Sequence, residues 1–306
     1  MRIKILASDS MGVRSTCTYI EVNGFSILID PSCALGPLRE GFYPHILEIM
    51  NLSEKWEIIK EYLKRADILI FTHYHYDHHN PREIYLYKGK KIFLKDYNDL
   101  NKRQKIRGEK FFSLLKEEGI EIEIGDGKFY EKNGVKIYFS KPLPHGRSGK
   151  QGYVLGVGIK EGSEGFFYTS DIQGYINNSL KEILYKLTPT IIFMDGPSFY
   201  MYSKSERERL CKEMVEKLGD IKKEIEEFRV LILDHHSMRG KDWEDVYSFI
   251  KEKLQKLEVE FVCSAEYEGK KITPYEAKRK IIYEIYSAKI KEEQEERIAI
   301  TKQNRR

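Results

Sequence analysis

Four of the eight histidines in this 306-residue chain, His73, His75, His78 and His79, crowd into the short stretch THYHYDHHN. Core packing gives no reason for such crowding, whereas metal binding does, because imidazole nitrogens and carboxylate oxygens are the donors that divalent ions take up. On an extended segment residues two apart point to the same side, so His73 and His75 can share one ion. Asp77 and His78, past the turn, can face a second. An H-x-H alone is a weak signal. The full H-x-H-x-D-H directly after the apolar run 67–71 is a strong one, and its chemistry is activation of water by bound metal.

The elements that must hold this loop follow from periodicity. Residues 67–71 read as a buried strand, and the chain opens as a meander of strands at 2–6, 17–22 and 25–30 with Asn23-Gly24 as a hairpin turn. A helix is expected at 54–65, with Trp56, Ile59 and Leu63 on one face, and further strands at 90–94, 120–124, 135–139, 152–159 and 165–169. Between the first two of these lies a helix with a basic leading segment carrying Lys102, Arg103, Lys105 and Arg107. The later chain alternates strands at 190–195, 229–234 and 259–263 with helices at 205–228 and 243–254. Ser203 and Glu206 form a capping box, and Leu210, Met214, Leu218, Ile221 and Ile225 make a stripe of core packing. This order predicts an α/β protein of two sheets covered outside by helices. No linker divides it, so residues 1–274 read as one domain and 275–306 as a C-terminal helix with a charged tail expected to fray.

Composition sets the limits. With 41% hydrophobic and 33% charged residues the chain has apolar material for a core beneath a strongly ionised surface. A net charge of +4, from 52 basic and 48 acidic residues, gives no global attraction to nucleic acid or membranes, so any basic patch must be local. Abundant Lys and Glu with 21 tyrosines suit surface ion-pair networks and a thermophilic source. Cys17, Cys33, Cys211 and Cys263 are scattered without metal spacing and read as reduced core thiols. No signal peptide and no span of roughly 20 apolar residues is present, so a cytoplasmic, membrane-free protein is expected.

With its loop taken together with its other strand ends, the sequence resembles the metallo-β-lactamase superfamily. The resemblance covers about residues 1–265, and its five motifs have candidates in order: Asp30 in FSILIDPS, the His73–His78 loop, His145 in KPLPHGRSG, Asp171 in FFYTSDIQG, and His235 in LILDHHSMR. The last stretch looks like that of the superfamily's tRNA 3′-processing endonucleases, with His236 as the alternative to His235. The segments SMGVRSTCT, IDPSCALGP, THYHYDHHNP and SAEYEGKKITPYEAKRK are similar to a mainly archaeal family of this fold labelled predicted metal-dependent RNases or hydrolases.

That resemblance implies a four-layer αββα sandwich. One ion, held by His73, His75 and His145, and a second, held by Asp77, His78 and His235, would be bridged by Asp171. Asp77 and Asp171 would be the catalytic carboxylates, while Asp30 and His79 would brace the ligands from behind. His45, in contrast, reads as a surface residue at a helix start. Zinc is the expected metal, with manganese or iron as alternatives, and a water activated between the ions is the expected nucleophile. Asp171 argues against the penicillin-hydrolysing branch, and His75 in place of Glu against the flavin-bearing diiron reductases, so no flavin or nucleotide cofactor is expected. The short interval from Asp171 to His235 leaves no room for the extra domain of the mRNA-end nucleases, and no protruding tRNA-binding arm is found. The reading is a phosphodiesterase or ribonuclease, with Arg147 and Lys150 as substrate contacts. A thioester, ester or lactone hydrolase and a mononuclear iron oxygenase are the competing readings.

Overall fold

The computed structural model describes residues 1–303, and the side chains of residues 1–289. Its first half is a six-stranded sheet in the order β1 (Arg2–Ile5), β2 (Thr18–Val22), β3 (Phe25–Ile29), β4 (Ile68–Phe71), β5 (Lys91–Leu94) and β6 (Ile122–Ile124). The meander β1 to β3 is antiparallel, and β3 to β6 are parallel neighbours. Helix α1 (Ile46–Arg65) makes the parallel crossover from β3 to β4 and helix α2 (Lys102–Glu117) the one from β5 to β6, while β4 and β5 are joined by the segment that carries the histidine loop.

The second half mirrors this plan. Strands β7 (Phe129–Lys132) and β8 (Val135–Phe139) form a hairpin, followed by the short pair β9 (Leu143–Pro144) and β10 (Tyr153–Val154). Then come β11 (Val157–Glu161), β12 (Glu164–Tyr168), helix α3 (Asn178–Leu187), β13 (Ile191–Met194), helix α4 (Lys204–Glu224), β14 (Val230–Leu233), helix α5 (Trp243–Gln255), β15 (Glu260–Val262), and helices α6 (Ser264–Tyr267) and α7 (Tyr275–Gln303). The sheet order is β15-β14-β13-β12-β11-β8-β7, parallel through the first four and antiparallel through the rest.

Strand pleating sorts the apolar side chains into layers. In β4, Ile68 and Ile70 join the core between the sheets, where they meet Ile137, Phe166 and Phe193 of the second sheet. Leu69 and Phe71, one residue out of phase, face Ile59 and Leu63 of α1 and Phe111 and Leu115 of α2. On the far side Phe167, Ile192 and Leu231 pack against Leu184 of α3, Leu218 of α4 and Ile250 of α5. The result is the αββα sandwich of the metallo-β-lactamase fold.

Several elements differ from the sequence reading. Helix α1 begins eight residues earlier than the predicted 54, because His45 caps it: its Nδ1 accepts from the Leu47 N–H at 3.3 Å while Glu48 accepts from the His45 N–H at 3.0 Å. His45 is accordingly no surface residue; it is 6% exposed under Tyr283 and Tyr286 of α7. Strand β7 and helix α3 had no counterpart in the reading, and the predicted strand 152–159 is broken in two. The Leu155 N–H leaves the second sheet there to donate to the Thr72 carbonyl, 3.0 Å away beside the histidine loop. The charged tail on which fraying was expected lies outside the residues whose side chains are described.

Candidate metal centre

Five strands that point their C-terminal ends at one edge of the sandwich deliver a polar group there: Asp30 after β3, the histidine loop after β4, Asp171 after β12, Asp195 after β13 and His235 after β14. The chain turns sharply at these exits. Asp30, Ser170 and His235 all take left-handed backbone, with φ of 48, 57 and 75°. Such conformations are costly for residues with a Cβ and persist where the surroundings hold them. For His235 the holder is Asp234, whose Oδ1 accepts from the His235 N–H at 2.6 Å and the Ser10 N–H at 3.0 Å.

The histidine loop is braced by one carboxylate. Asp30 is fully buried and accepts from the Thr72 N–H at 2.8 Å, the Thr72 hydroxyl at 2.6 Å, His78 Nδ1 at 2.8 Å and the Tyr168 hydroxyl at 2.8 Å. A carboxylate behind an imidazole fixes the ring and leaves its other nitrogen to face a metal. The His79 Nδ1 donates to the His75 carbonyl at 2.9 Å.

The donors gather around Asp171, which is 1% exposed, and they divide between its two oxygens. His73 Nε2 and His145 Nε2 each stand 3.4 Å from Oδ2, and His75 Nδ1 lies 3.2 Å from His73 Nε2. His78 Nε2 and His235 Nε2 stand 3.3 and 3.5 Å from Oδ1, and His235 Nε2 is 3.6 Å from Asp77 Oδ2. Two donors on one tetrahedral ion with bonds of about 2.0–2.1 Å stand about 3.4 Å apart. The donor spacings in both sets are therefore those of ligands around a metal ion.

Orphaned atoms point the same way. His78 Nε2, both ring nitrogens of His145, and Asp171 Oδ1 are buried without a hydrogen-bond partner. Buried polar atoms are rarely left so, and here His78 Nε2 and His145 Nε2 stand 3.3 and 3.4 Å from the oxygens of Asp171. The residues present thus fit bound divalent metal.

The two sets differ electrically. Burial and the neighbouring His78 push His73 down to about 4, and burial with the fields of His73 and His145 takes His75 well below its usual value. These rings are neutral and offer lone pairs. Burial would also depress His78, but Asp171 and Asp30 outweigh it and raise the ring well above its ordinary value. Burial and Arg239 likewise oppose a proton on His235, yet Asp171 and Asp9 lift it to about 9. Burial opposes charge on Asp77 too, but His78, His235 and Arg239 hold its carboxyl well below the normal range.

The structure places His235 with Asp77 and His78, its Nδ1 held by Asp9 Oδ2 at 2.6 Å. His236 turns to the other oxygen, with Nε2 3.9 Å from Asp171 Oδ2 and Nδ1 against Asp195 Oδ2 at 2.7 Å. Asp195 is itself anchored by the Gln173 and Gly174 N–H groups.

Sequence reasoning missed Asp9, Asp195, Asp234 and Arg239. Asp195 ends an apolar strand and could have been found from that alone. Asp9 sits in an irregular opening segment with no such signal. Of the predicted substrate contacts, Lys150 is exposed, while the Arg147 guanidinium is paired with Glu213 and lies over the Tyr175 ring at 5.0 Å. Two more arginine–tyrosine stacks flank the centre: Arg107 over Tyr76 at 4.3 Å and Arg39 over Tyr200 at 4.1 Å. Arg39 also donates to the Arg239 carbonyl. Among the described residues no helix is long and apolar enough to cross a membrane.

No protein-family profile matches the chain. It is 37% identical over 289 residues to a UPF0282 protein of Korarchaeum cryptofilum, covering 94% of this chain and 95% of that one. Among solved structures it is similar to a possible metal-dependent hydrolase from Veillonella parvula, with a TM-score of 0.51 and 16% identity over 85% of this chain and 94% of that one. It is also similar to unliganded yeast PDE1, with a TM-score of 0.52 and 12% identity over 85% and 96% of the respective chains. At such identities the likeness to these structures establishes the fold.

Proposed function

The chain belongs to the UPF0282 family, and from that membership and its αββα fold we propose that it is a dinuclear metal-dependent hydrolase acting on phosphodiesters, RNA or a smaller molecule. The observation that carries the reading is the division of Asp171, one oxygen toward His73 and His145 and the other toward His78 and His235. Zinc suits an imidazole-rich set of this kind. When bound, two such ions would supply a water activated near neutral pH and offset negative charge developing on the substrate.

The chain's own residues do the positioning. Asp171 would hold metal through an oxygen facing each set, Asp30 and Asp9 aim His78 and His235, and the depressed protonation of His73 and His75 leaves lone pairs available. His236, with Nδ1 against Asp195 and Nε2 3.9 Å from Asp171 Oδ2, has its protonation depressed well below the usual histidine range by burial and Arg239, so it offers Nε2 as a hydrogen-bond acceptor beside the substrate. Arg39 and Arg107, each laid over a tyrosine, support a phosphodiester, since they bring positive charge close to the histidine loop and to Arg239. We place its action in the cytoplasm, in keeping with its scattered cysteines.

Metal analysis combined with turnover of bis(p-nitrophenyl) phosphate, set against thioesters, carboxylic esters and lactones, is the test. Two divalent ions per chain with phosphodiester turnover is the expected result. Clear esterase turnover with none on the phosphodiester would reassign the substrate. One iron per chain, with Asp171 and His235 dispensable, would replace hydrolysis by an oxygenase.

A further inference from the structure

The guanidinium of Arg239 stands among the donors of the second group. It is 4% exposed, and its Nη2 lies 3.3 Å from Asp77 Oδ2 and 2.9 Å from His235 Nε2. Two of the three side chains that would hold the second ion with Asp171 therefore already face a cation. The position is built. Nε donates to Asp9 Oδ1 at 2.8 Å, and the other oxygen of Asp9 holds His235 Nδ1 at 2.6 Å, so one carboxylate fixes both the arginine and the ring it approaches.

The first group has no counterpart. Among the described residues no lysine or arginine pairs with His73, His75, His145 or Asp171. Arginine stays charged throughout the range in which proteins work, so its hold on Asp77 does not relax with pH. A second ion must either displace Nη2 or bind beside a fixed positive charge in a buried site, where repulsion is screened little.

We propose that Arg239 is an internal cation sharing the donors of the second site. The two ions then bind unequally: the site of His73, His75 and His145 fills first and holds its ion, and the site of Asp77, His78 and His235 fills only as free metal rises. This rests on the dinuclear reading and assigns its weaker half.

The experiment is calorimetric titration of the metal-free protein with zinc, repeated with cobalt to follow each site by its visible spectrum. The wild type is expected to show two events separated by about tenfold or more in affinity, as surrounding groups commonly change metal affinity by that much. Arg239→Gln tightens the second event toward the first and leaves the first in place. Because this change leaves Asp9 without its arginine, the pair Asp9→Asn with Arg239→Gln is measured alongside it, with melting curves to confirm folding. Equal affinities in the wild type, or a second event unmoved in both folded variants, would overturn the inference and leave the dinuclear reading standing. A chain that binds no ion at all would overturn that reading too.

Discussion

The two halves of the centre use the same side chains in opposite states. Around Asp171 Oδ2, His73 and His75 are neutral, and His145 has both ring nitrogens without a partner. Around Oδ1, His78 and His235 carry protons in the metal-free chain and are tied to Asp30 and Asp9. Among the described residues no carboxylate stands behind the rings of the first half, where His73 Nδ1 meets only the Thr72 and Ser170 hydroxyls. The second is a set of buried, mutually paired charges in which loss of one partner would strand another, and it must rearrange, losing protons, when an ion enters.

The largest test of that contrast is Asp30→Ala. It leaves the Thr72 amide and hydroxyl, the Tyr168 hydroxyl and a charged His78 without their acceptor, and should cost about 3–5 kcal/mol in urea unfolding of the metal-free chain. A loss under 1 kcal/mol, on the scale of a neutral surface change, would mean that His78 is not charged there. Asp9→Asn keeps one acceptor oxygen and removes the charge shared by His235 and Arg239, so its expected cost is smaller, about 1.5–3 kcal/mol by the same measurement.

The proton on His235 predicts a pH dependence. Its folded value of about 9 exceeds the unfolded one, so its contribution to the metal-free fold is complete below the ordinary histidine range and is lost as pH rises through about 9. A metal takes the neutral ring. Zinc affinity should therefore climb over the same window by about tenfold per pH unit for each proton displaced, with matching proton release across buffers of different ionisation heat. Affinity that is flat from pH 6.5 to 9 would contradict the charged second half.

The smallest effect belongs to His145→Leu. A ring with no hydrogen bonds can be replaced by an apolar side chain at a cost of under about 1 kcal/mol in the metal-free chain, while retention of the first ion is lost. Destabilisation as large as that of Asp30→Ala would show that the first half also carries the fold.

The histidine loop was legible because its chemistry is local. The residues from His73 to His78 follow one buried strand, and pleating and spacing alone set which of them could act together. Asp30, Asp171 and His235 could be found as polar residues ending apolar strands, and the capping box of α4 as a short pattern at Ser203 and Glu206. Helix α1 was misjudged at its start because histidine is a poor capping signal, and its burial comes from a helix more than two hundred residues away.

What the sequence determined by itself was the kind of chemistry: donor types, their order, and strands that bring them to one edge of a sandwich. Only the tertiary structure decided the state of each donor. Asp9 reaches His235 across 226 positions, Arg239 reaches Asp77 across 162, and Tyr168 reaches Asp30 across 138. A buried imidazole is neutral or charged according to which carboxylate or guanidinium stands within a few ångströms of it, since in a low dielectric that neighbour outweighs the ring's own preference. Proximity of that kind is a property of the packed sheets, and no spacing along the chain records it.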